Sequence, residues 1–280
     1  MKILITGATG QLGYDVCRVL SAREIEYRGI GSAQLDIVNE NKVHAYLESY
    51  RPDAVIHCAA YTAVDKAEDE PERCFAVNEG GTVNLARACR DIGAKMLFLS
   101  TDYVFPGDGE RFYETDDPTG PLNVYGRSKL AAEQSLREVL PEHFILRISW
   151  VFGINGGNFV KTMLRLAETH DTLTVVADQV GSPAYTADLA PLLCDMIATD
   201  KYGTYHATNE GICSWAAFAE EIFRLAGKAV TVVPTTTDAY GAKALRPKNS
   251  RLNKQSLTAA GFARLPDWQD ALGRYLSELN

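Results

Sequence analysis

Two groups of residues in this 280-residue chain have the types and spacing to do chemistry. The first is Tyr125-Gly126-Arg127-Ser128-Lys129, which sets a phenol and an ammonium four residues apart. Residues so spaced on a helix share one face, so both can point into a single pocket. A free phenol titrates near pH ~10 and is a sluggish proton exchanger at neutral pH. A cation within a few ångströms favours the phenolate, which predicts a lowered Tyr125 pKa and a tyrosine usable as general acid or base. A solvated helix surface offers the same spacing by chance, so the pair needs partners elsewhere in the chain.

The second group supplies one such partner. Glycines at 7, 10 and 13 in Gly7-Ala8-Thr9-Gly10-Gln11-Leu12-Gly13 follow a short apolar run, Lys2 to Thr6, and open an amphipathic stretch through Leu20. A tight turn off a strand, close backbone approach to a pyrophosphate and a helix N-terminus with free N–H groups together make a dinucleotide site. The spacing G-x-x-G-x-x-G differs from G-x-G-x-x-G only between its first two members, and its place between the first strand and first helix is the context that motif requires.

The elements that must position these groups alternate in order. Glu26 to Ile30 reads as the second strand, tipped by Gly31-Ser32 with Arg28 just upstream. An acid at this tip would bind the adenosine ribose; lacking it removes a repulsion against a 2'-phosphate and favours NADPH, with NADH also usable. Asp36 either caps a helix from Asn39 to Tyr50 or receives the adenine amino group, and the sequence leaves both readings open. Ala54 to Ala59 reads as a strand buried on both faces and ends in Ala59-Ala60-Tyr61; Glu72 to Ile92, containing Asn78, reads as one long helix. Lys95 to Ser100 is the fourth strand and delivers Ser100-Thr101-Asp102-Tyr103 at its carboxyl end, where ligands sit in open parallel sheets. Tyr125 to Leu140 is then a helix closed by Pro141, and Phe144 to Val151 a further strand.

This rhythm predicts a doubly wound parallel α/β domain over residues 1–152. Residues 153–280 are expected to form a smaller, mainly substrate-binding α/β lobe, with segments around 186–208 returning to the main sheet. Its expected helices run near Asn158 to His170, Thr186 to Thr199, Ser214 to Ala226 and after Pro266, and its strands near Leu173 to Ala177, Thr204 to Thr208 and Val230 to Val233.

Composition excludes several classes. A net charge of -8 without a Lys/Arg cluster argues against nucleic acid as a partner. No apolar run approaches a membrane span, and Ile3-Leu4-Ile5 follows a single lysine without a signal-peptide pattern, so a cytoplasmic protein is expected. Six cysteines without a C-x-x-C pair read as reduced, and five scattered histidines without H-x-H or H-E-x-x-H give no reason to expect a metal.

Five separated stretches in the right order resemble an extended short-chain dehydrogenase/reductase, and within it the dTDP-4-dehydrorhamnose reductase family. They are G-A-T-G-Q-L-G at 7–13, A-A-Y-T-A-V-D-K-A-E at 59–68, S-T-D-Y-V-F at 100–105, Y-G-R-S-K at 125–129 and R-P-K-N-S-R-L at 246–252. The resemblance implies a Rossmann-type fold and cofactor contacts at Gly7, Gly10, Gln11, Leu12 and Gly13, at Ser32, Asp36 and Ile37, at Ala59, Ala60 and Tyr61, and at Asn78, Ser100, Tyr125 and Lys129. It implies that Tyr125 donates a proton, that Lys129 tunes it and binds the nicotinamide ribose, and that Thr101 polarises a ketone. Val64, Asp102, Tyr103 and Trp150 would line a sugar site, and Arg246, Asn249 and Ser250 would hold a dTDP-sugar, the guanidinium suiting its diphosphate. The implied reaction is reduction of a C4 ketone to dTDP-L-rhamnose. Its rivals are another nucleotide-sugar 4-ketoreductase or epimerase and, from a different class, a non-catalytic nucleotide-binding regulatory subunit. Some family members are metal-linked dimers held by glutamates; Asp15 and Asp188 stand near the corresponding places here, so no metal is expected and a homodimer stays open.

Overall fold

The computed structural model describes residues 1–279. Its first half alternates strand and helix: β1 (Ile3–Thr6), α1 (Gln11–Ala22), β2 (Tyr27–Ile30), α2 (Glu40–Tyr50), β3 (Ala54–His57), the short α3 (Val64–Ala67) and α4 (Pro71–Phe75), α5 (Gly81–Ile92), β4 (Lys95–Thr101), α6 (Val124–Val139) and β5 (His143–Ile148). The second half is more broken: β6 (Val151–Phe152), α7 (Phe159–Leu166), β7 (Thr172–Val176), β8 (Val180–Gly181), β9 (Ala184–Tyr185), α8 (Thr186–Ile197), β10 (Gly203–His206), β11 (Cys213–Ser214), α9 (Trp215–Leu225), β12 (Thr231–Thr235), α10 (Thr237–Tyr240), β13 (Asn249–Ser250), α11 (Gln255–Ala259) and α12 (Trp268–Leu279).

Six strands form one sheet in the order β10-β5-β4-β3-β1-β2, with every neighbouring pair parallel. Alternation along each strand divides its side chains between two cores. Ile3, Ile5, Leu97, Leu99, Phe144 and Leu146 pack with α1 and α8 on one face. Leu4, Val55, Met96, Phe98 and Ile145 pack with α2, α5 and α6 on the other. The sheet is therefore buried on both faces, which is why its strands read as near-continuous apolar runs. A third core, around Phe152, Phe218, Phe223, Trp268 and Tyr275, belongs to the second half of the chain.

Strand order reverses between β1 and β3, and there the loops following them meet. Gly7 has φ +69°, and a Cβ on it would lie 2.6 Å from the Ala59 amide nitrogen. A Cβ on Gly13 would lie 2.3 Å from the Gly7 carbonyl oxygen. Only glycine allows the turn to close and α1 to sit directly on it.

Three sequence expectations differ from the structure. The helix expected from Glu72 to Ile92 is α4 and α5 joined by a π-helical turn, Ala76–Gly80, that centres on Asn78. The Asn78 side chain bonds across to Tyr61 and Ser128, and Thr82 Oγ1 donates to the Asn78 carbonyl at 2.6 Å, contacts that no helix periodicity encodes. The strand expected from Phe144 to Val151 stops at Ile148, because Trp150 adopts φ 47° and β6 pairs with β9 outside the main sheet. The helix expected from Asn158 to His170 ends at Leu166, and Asn158 caps it by accepting from the Lys161 amide at 3.0 Å.

Gly13→Ala forces a methyl group into the Gly7 carbonyl and is expected to lower stability by about 1–3 kcal/mol, the usual cost of overpacking, read from urea denaturation. A variant as stable as the parent would mean that the turn and α1 can separate freely.

Candidate active site

A cavity of about 730 Å³ opens at the carboxyl ends of the sheet strands, within the range of small-ligand sites. One end is built by the glycine turn. Gly10 leads into α1 with no side chain capping it, so the first N–H groups of the helix are left for an anion. Asn155, from the loop after β6, donates to the Thr9 carbonyl at 2.8 Å, and Gly156 and Gly157 of that loop also line the cavity. The second half of the chain thus closes over the turn.

Asp36 lies in the cavity wall, and the choice left open by the sequence is decided against capping. Asn39 caps α2 by accepting from the Lys42 amide at 3.0 Å, while Asp36 Oδ1 accepts from the Val38 amide at 3.1 Å in a local turn. Arg28 points elsewhere, its guanidinium lying over the Tyr50 ring at 4.1 Å. Lys129 is the one cation among the described residues lining the cavity.

The other end is chemical. Thr101, Asp102 and Tyr103, delivered by β4, share the cavity with Tyr125 and Lys129 from the first turns of α6. Asn123 fixes the start of α6 by accepting from the Gly126 amide at 2.8 Å, which sets the register that turns Tyr125 and Lys129 inward. Lys129 is 1% exposed, and its Nζ lies 3.9 Å from the centroid of the Phe98 ring. The expected electrostatics are reversed. Burial pushes the Tyr125 phenol above its ordinary value, the Thr101 hydroxyl pulls the other way, and burial brings Lys129 down to about 7. In a dry cavity each group loses more by shedding water than it gains from its neighbour. The phenol consequently holds its proton at neutral pH.

Thr101 Oγ1 donates to Asp102 Oδ1 at 3.0 Å and accepts from the Tyr103 amide at 3.2 Å. Asp102 is 3% exposed, and its Oδ2 is buried without a hydrogen-bond partner among the described residues. Burial pushes this carboxyl up to about 6. Beneath the pocket, Ser100 Oγ donates to Glu133 at 2.5 Å, and Arg147 clamps the same carboxylate at 2.9 and 2.7 Å.

Of the residues expected at the site, Gly7, Gly10, Gln11, Leu12, Ser32, Asp36, Ile37, Ala59, Ala60, Val64, Ser100, Thr101, Asp102, Tyr103, Tyr125, Lys129 and Trp150 line this one cavity. Six expected residues do not, each for a physical reason. Gly13 packs α1 against the turn. Tyr61 sends its hydroxyl to Glu70 at 3.0 Å. Asn78 is spent on the Tyr61 backbone and on Ser128, whose hydroxyl donates to the Tyr125 carbonyl at 2.7 Å. Asn249 donates to the Arg111 and Asp108 carbonyls at 2.8 and 3.2 Å. Ser250 is 2% exposed and lies against Asp102. Arg246 is gripped by both oxygens of Asp65 at 3.0 and 2.6 Å, beside Val64 at the cavity edge. The carboxylates that raised the question of a metal are also occupied. Asp15 accepts from Thr186 and Arg18, and Asp188 from Arg274 and Asn209, so the residues present do not fit a metal ion.

Sequence reasoning missed Thr62, Ser149 and Trp215, as well as the Gly156-Gly157 loop. Gly156-Gly157 carried a turn signal, whereas Trp215 read only as the start of an amphipathic helix.

Comparison with known proteins decides the family. The RmlD substrate binding domain family matches residues 1–280. The chain belongs to the dTDP-4-dehydrorhamnose reductase family. A dTDP-4-dehydrorhamnose reductase of Streptomyces griseus is 46% identical over 96% of this chain and 91% of its own length. The spore coat polysaccharide biosynthesis protein SpsK of Bacillus subtilis is 40% identical over 99% and 97%. A crystal structure of the Bacillus anthracis dTDP-4-dehydrorhamnose reductase in complex with NADP is 43% identical, covers 99% of both chains and superposes with a TM-score of 0.97. A Thermus thermophilus UDP-glucose 4-epimerase at 22% identity and a TM-score of 0.84 has the same Rossmann-type fold.

The buried Asp102 gives this family member a pH signature. Unfolded, the carboxyl ionises near ~3.9; folded, it stays protonated to about 6. The stability it contributes is full below the unfolded value and is lost as pH rises through about 6. The stability of the parent relative to Asp102→Asn should therefore fall by about 3 kcal/mol between about pH 4 and about pH 7 in urea titrations. A difference that stays flat over that interval would remove the carboxyl from the dry cavity.

Proposed function

We propose that this protein reduces the C4 ketone of dTDP-4-dehydro-L-rhamnose to dTDP-L-rhamnose, using NADPH and, less well, NADH. The observation that carries the reading is the convergence of Tyr125, Thr101 and Lys129 on the cavity that also holds the glycine turn. The reductases of Streptomyces griseus and Bacillus anthracis, related over almost the whole chain, support the substrate, and the NADP complex supports the cofactor.

The glycine turn, the α1 N-terminus and Ala59-Ala60 would hold the dinucleotide, and Asp36 and Ile37 its adenosine end. The nicotinamide supplies the hydride when bound. The chain's own work is on the ketone oxygen. Hydrogen bonds from Tyr125 and from the Thr101 hydroxyl, its one proton turned from Asp102 to the substrate, strengthen as that oxygen gains negative charge, which is stabilisation delivered in the transition state rather than in the ground state. Tyr125 then gives up its proton, which its raised pKa has kept in place. Lys129, brought down to about 7 and so protonated in part at neutral pH, offsets in its charged form the charge left on the phenolate. Arg246, whose planar fork is paired with Asp65 at the cavity edge, would reach the diphosphate by exchanging that carboxylate for it.

The cofactor preference follows from the β2 tip, where Ser32 stands in place of an acid and Arg28 is committed to Tyr50. No acid at this tip opposes a 2'-phosphate, and no arginine from this strand anchors it.

Tyr125→Phe is expected to lower kcat by about 10²–10⁴-fold with the Kd for NADPH unchanged within about twofold, since the proton donor is lost and the cavity kept. Near-normal turnover would rule out Tyr125 as the donor. Assays with the enzymatically generated 4-keto sugar should give higher kcat/KM with NADPH than with NADH, and a product with rhamnose stereochemistry. A different product isomer would favour a related ketoreductase or epimerase, and NADPH binding without ketone reduction a regulatory role.

A further inference from the structure

Trp150 and Trp215 face the cavity that holds Tyr125 and Thr101, and they are stacked on each other with ring centroids 3.8 Å apart and planes 16° off parallel. Phe159 packs against Trp215 at 4.6 Å and 53°, which extends the stack away from the cavity. Four distant segments build this arrangement. Ser214 caps α9 by accepting from the Ala217 amide at 3.1 Å, which makes Trp215 the first helical residue. β11 brings it alongside β8 by pairing Cys213 with Gly181, and β13 pairs Ser250 with the same Gly181. A Cβ on Gly181 would stand 3.1 Å from the Trp150 ring and 2.9 Å from the Ser250 Cβ, so a glycine makes room for the indole.

Packing alone does not require this geometry. Trp150 takes φ 47°, a region that costs a bulky residue about 1–3 kcal/mol and persists only where the surroundings hold it. Trp268, whose role is packing, is 5% exposed in the third core and has an ordinary backbone. Trp150 and Trp215 instead remain partly exposed at the cavity wall. A pyranose offers an aromatic surface its C–H face, and a 6-deoxyhexose adds a methyl group where other hexoses carry a hydroxymethyl. Rigid indoles give large apolar contact area at low entropic cost, and a few polar groups then fix orientation. Thr101, Asp102 and Tyr125 are such groups in the same cavity.

We propose that Trp215 is a positioning and specificity-determining residue for the sugar. It backs the Trp150 indole, and the two rings form the apolar wall that takes the C–H face and methyl group of a 6-deoxyhexose. This rests on the nucleotide-sugar reading above.

The test is a titration of dTDP-L-rhamnose, with NADP+ present, into the parent, Trp215→Leu and Trp215→Phe proteins. Near-ultraviolet circular dichroism follows the coupled indoles and calorimetry gives Kd; NADP+ affinity and thermal midpoints are measured alongside. In the parent the coupled-indole signal should change on adding the nucleotide sugar. Trp215→Leu should abolish that signal, weaken dTDP-L-rhamnose binding by about 10- to 100-fold and raise the sugar KM with kcat nearly constant, NADP+ affinity being retained. Trp215→Phe, which preserves an aromatic stack, should stay within about fivefold of the parent. Trp215→Leu binding within about twofold of the parent overturns the inference, and so does an equal loss of sugar and NADP+ affinity, the mark of a collapsed lobe. A parent protein that binds dTDP-L-rhamnose but reduces no 4-keto sugar sinks the reductase reading alone and leaves the wall to be judged by the titration. A parent that binds no dTDP-L-rhamnose sinks both.

Discussion

A nearly inaccessible ammonium governs the architecture of this protein. Lys129 is 1% exposed, and a buried charge is tolerated only where its surroundings compensate for the water it has lost. The face of Phe98 lies 3.9 Å from its nitrogen, and Glu133, one helical turn further along α6, draws its pKa back up. Glu133 is itself fully buried and is fixed by Arg147 from β5 and Ser100 from β4. The lysine can occupy its place only when β4, β5 and α6 are assembled together. Two of these elements, β4 and α6, deliver Thr101 and Tyr125, so housing the charge and assembling the chemistry draw on the same packing.

The second constraint is a close backbone approach. The turns after β1 and β3 meet where the strand order reverses, and Gly7 leaves no space between itself and Ala59 for a side chain. That contact puts the α1 N-terminus and the Ala59-Ala60 backbone in one wall of the cavity that ends at Tyr125. Buried polar groups keep the wall in register. Asn78 ties the loop after β3 to Ser128 on α6, and Ser128 bonds the Tyr125 carbonyl. Asn78 therefore supports the site from behind, and the π-helical turn around it accommodates that reach.

The second half of the chain completes the cavity without forming a long sheet of its own. Its three-stranded sheet, β11-β8-β13, uses two residues per strand, yet it gathers Trp215, Gly181 and Ser250 around Trp150. Meanwhile α8 packs on α1, and β10 extends the main sheet beside β5. The two halves are interleaved, and the residues at the cavity edge, Val64 and Asp65 with Arg246, join them by a charged contact.

What the sequence determined by itself is whatever is encoded locally. The doubly wound rhythm, the glycine turn and the Tyr125-Lys129 spacing follow from periodicity, from steric demands on single residues and from a four-residue helical repeat. Ordered motifs from residue 7 to residue 252 carried the family as well. Tertiary structure decided which polar side chains face the cavity and which are consumed in holding it. Tyr61 and Asn249 stand in those motifs, yet Tyr61 bonds the Glu70 carboxylate and Asn249 the Arg111 carbonyl, while Asn78, outside them, bonds the Tyr61 backbone, so no local pattern could separate them from Thr101 or Asp36. It also decided the acid–base character of the pair. Spacing predicted a phenol lowered by its lysine, whereas the folded cavity removes water from both groups, and desolvation, a property of the whole enclosure, outweighs an attraction that two residues alone can encode.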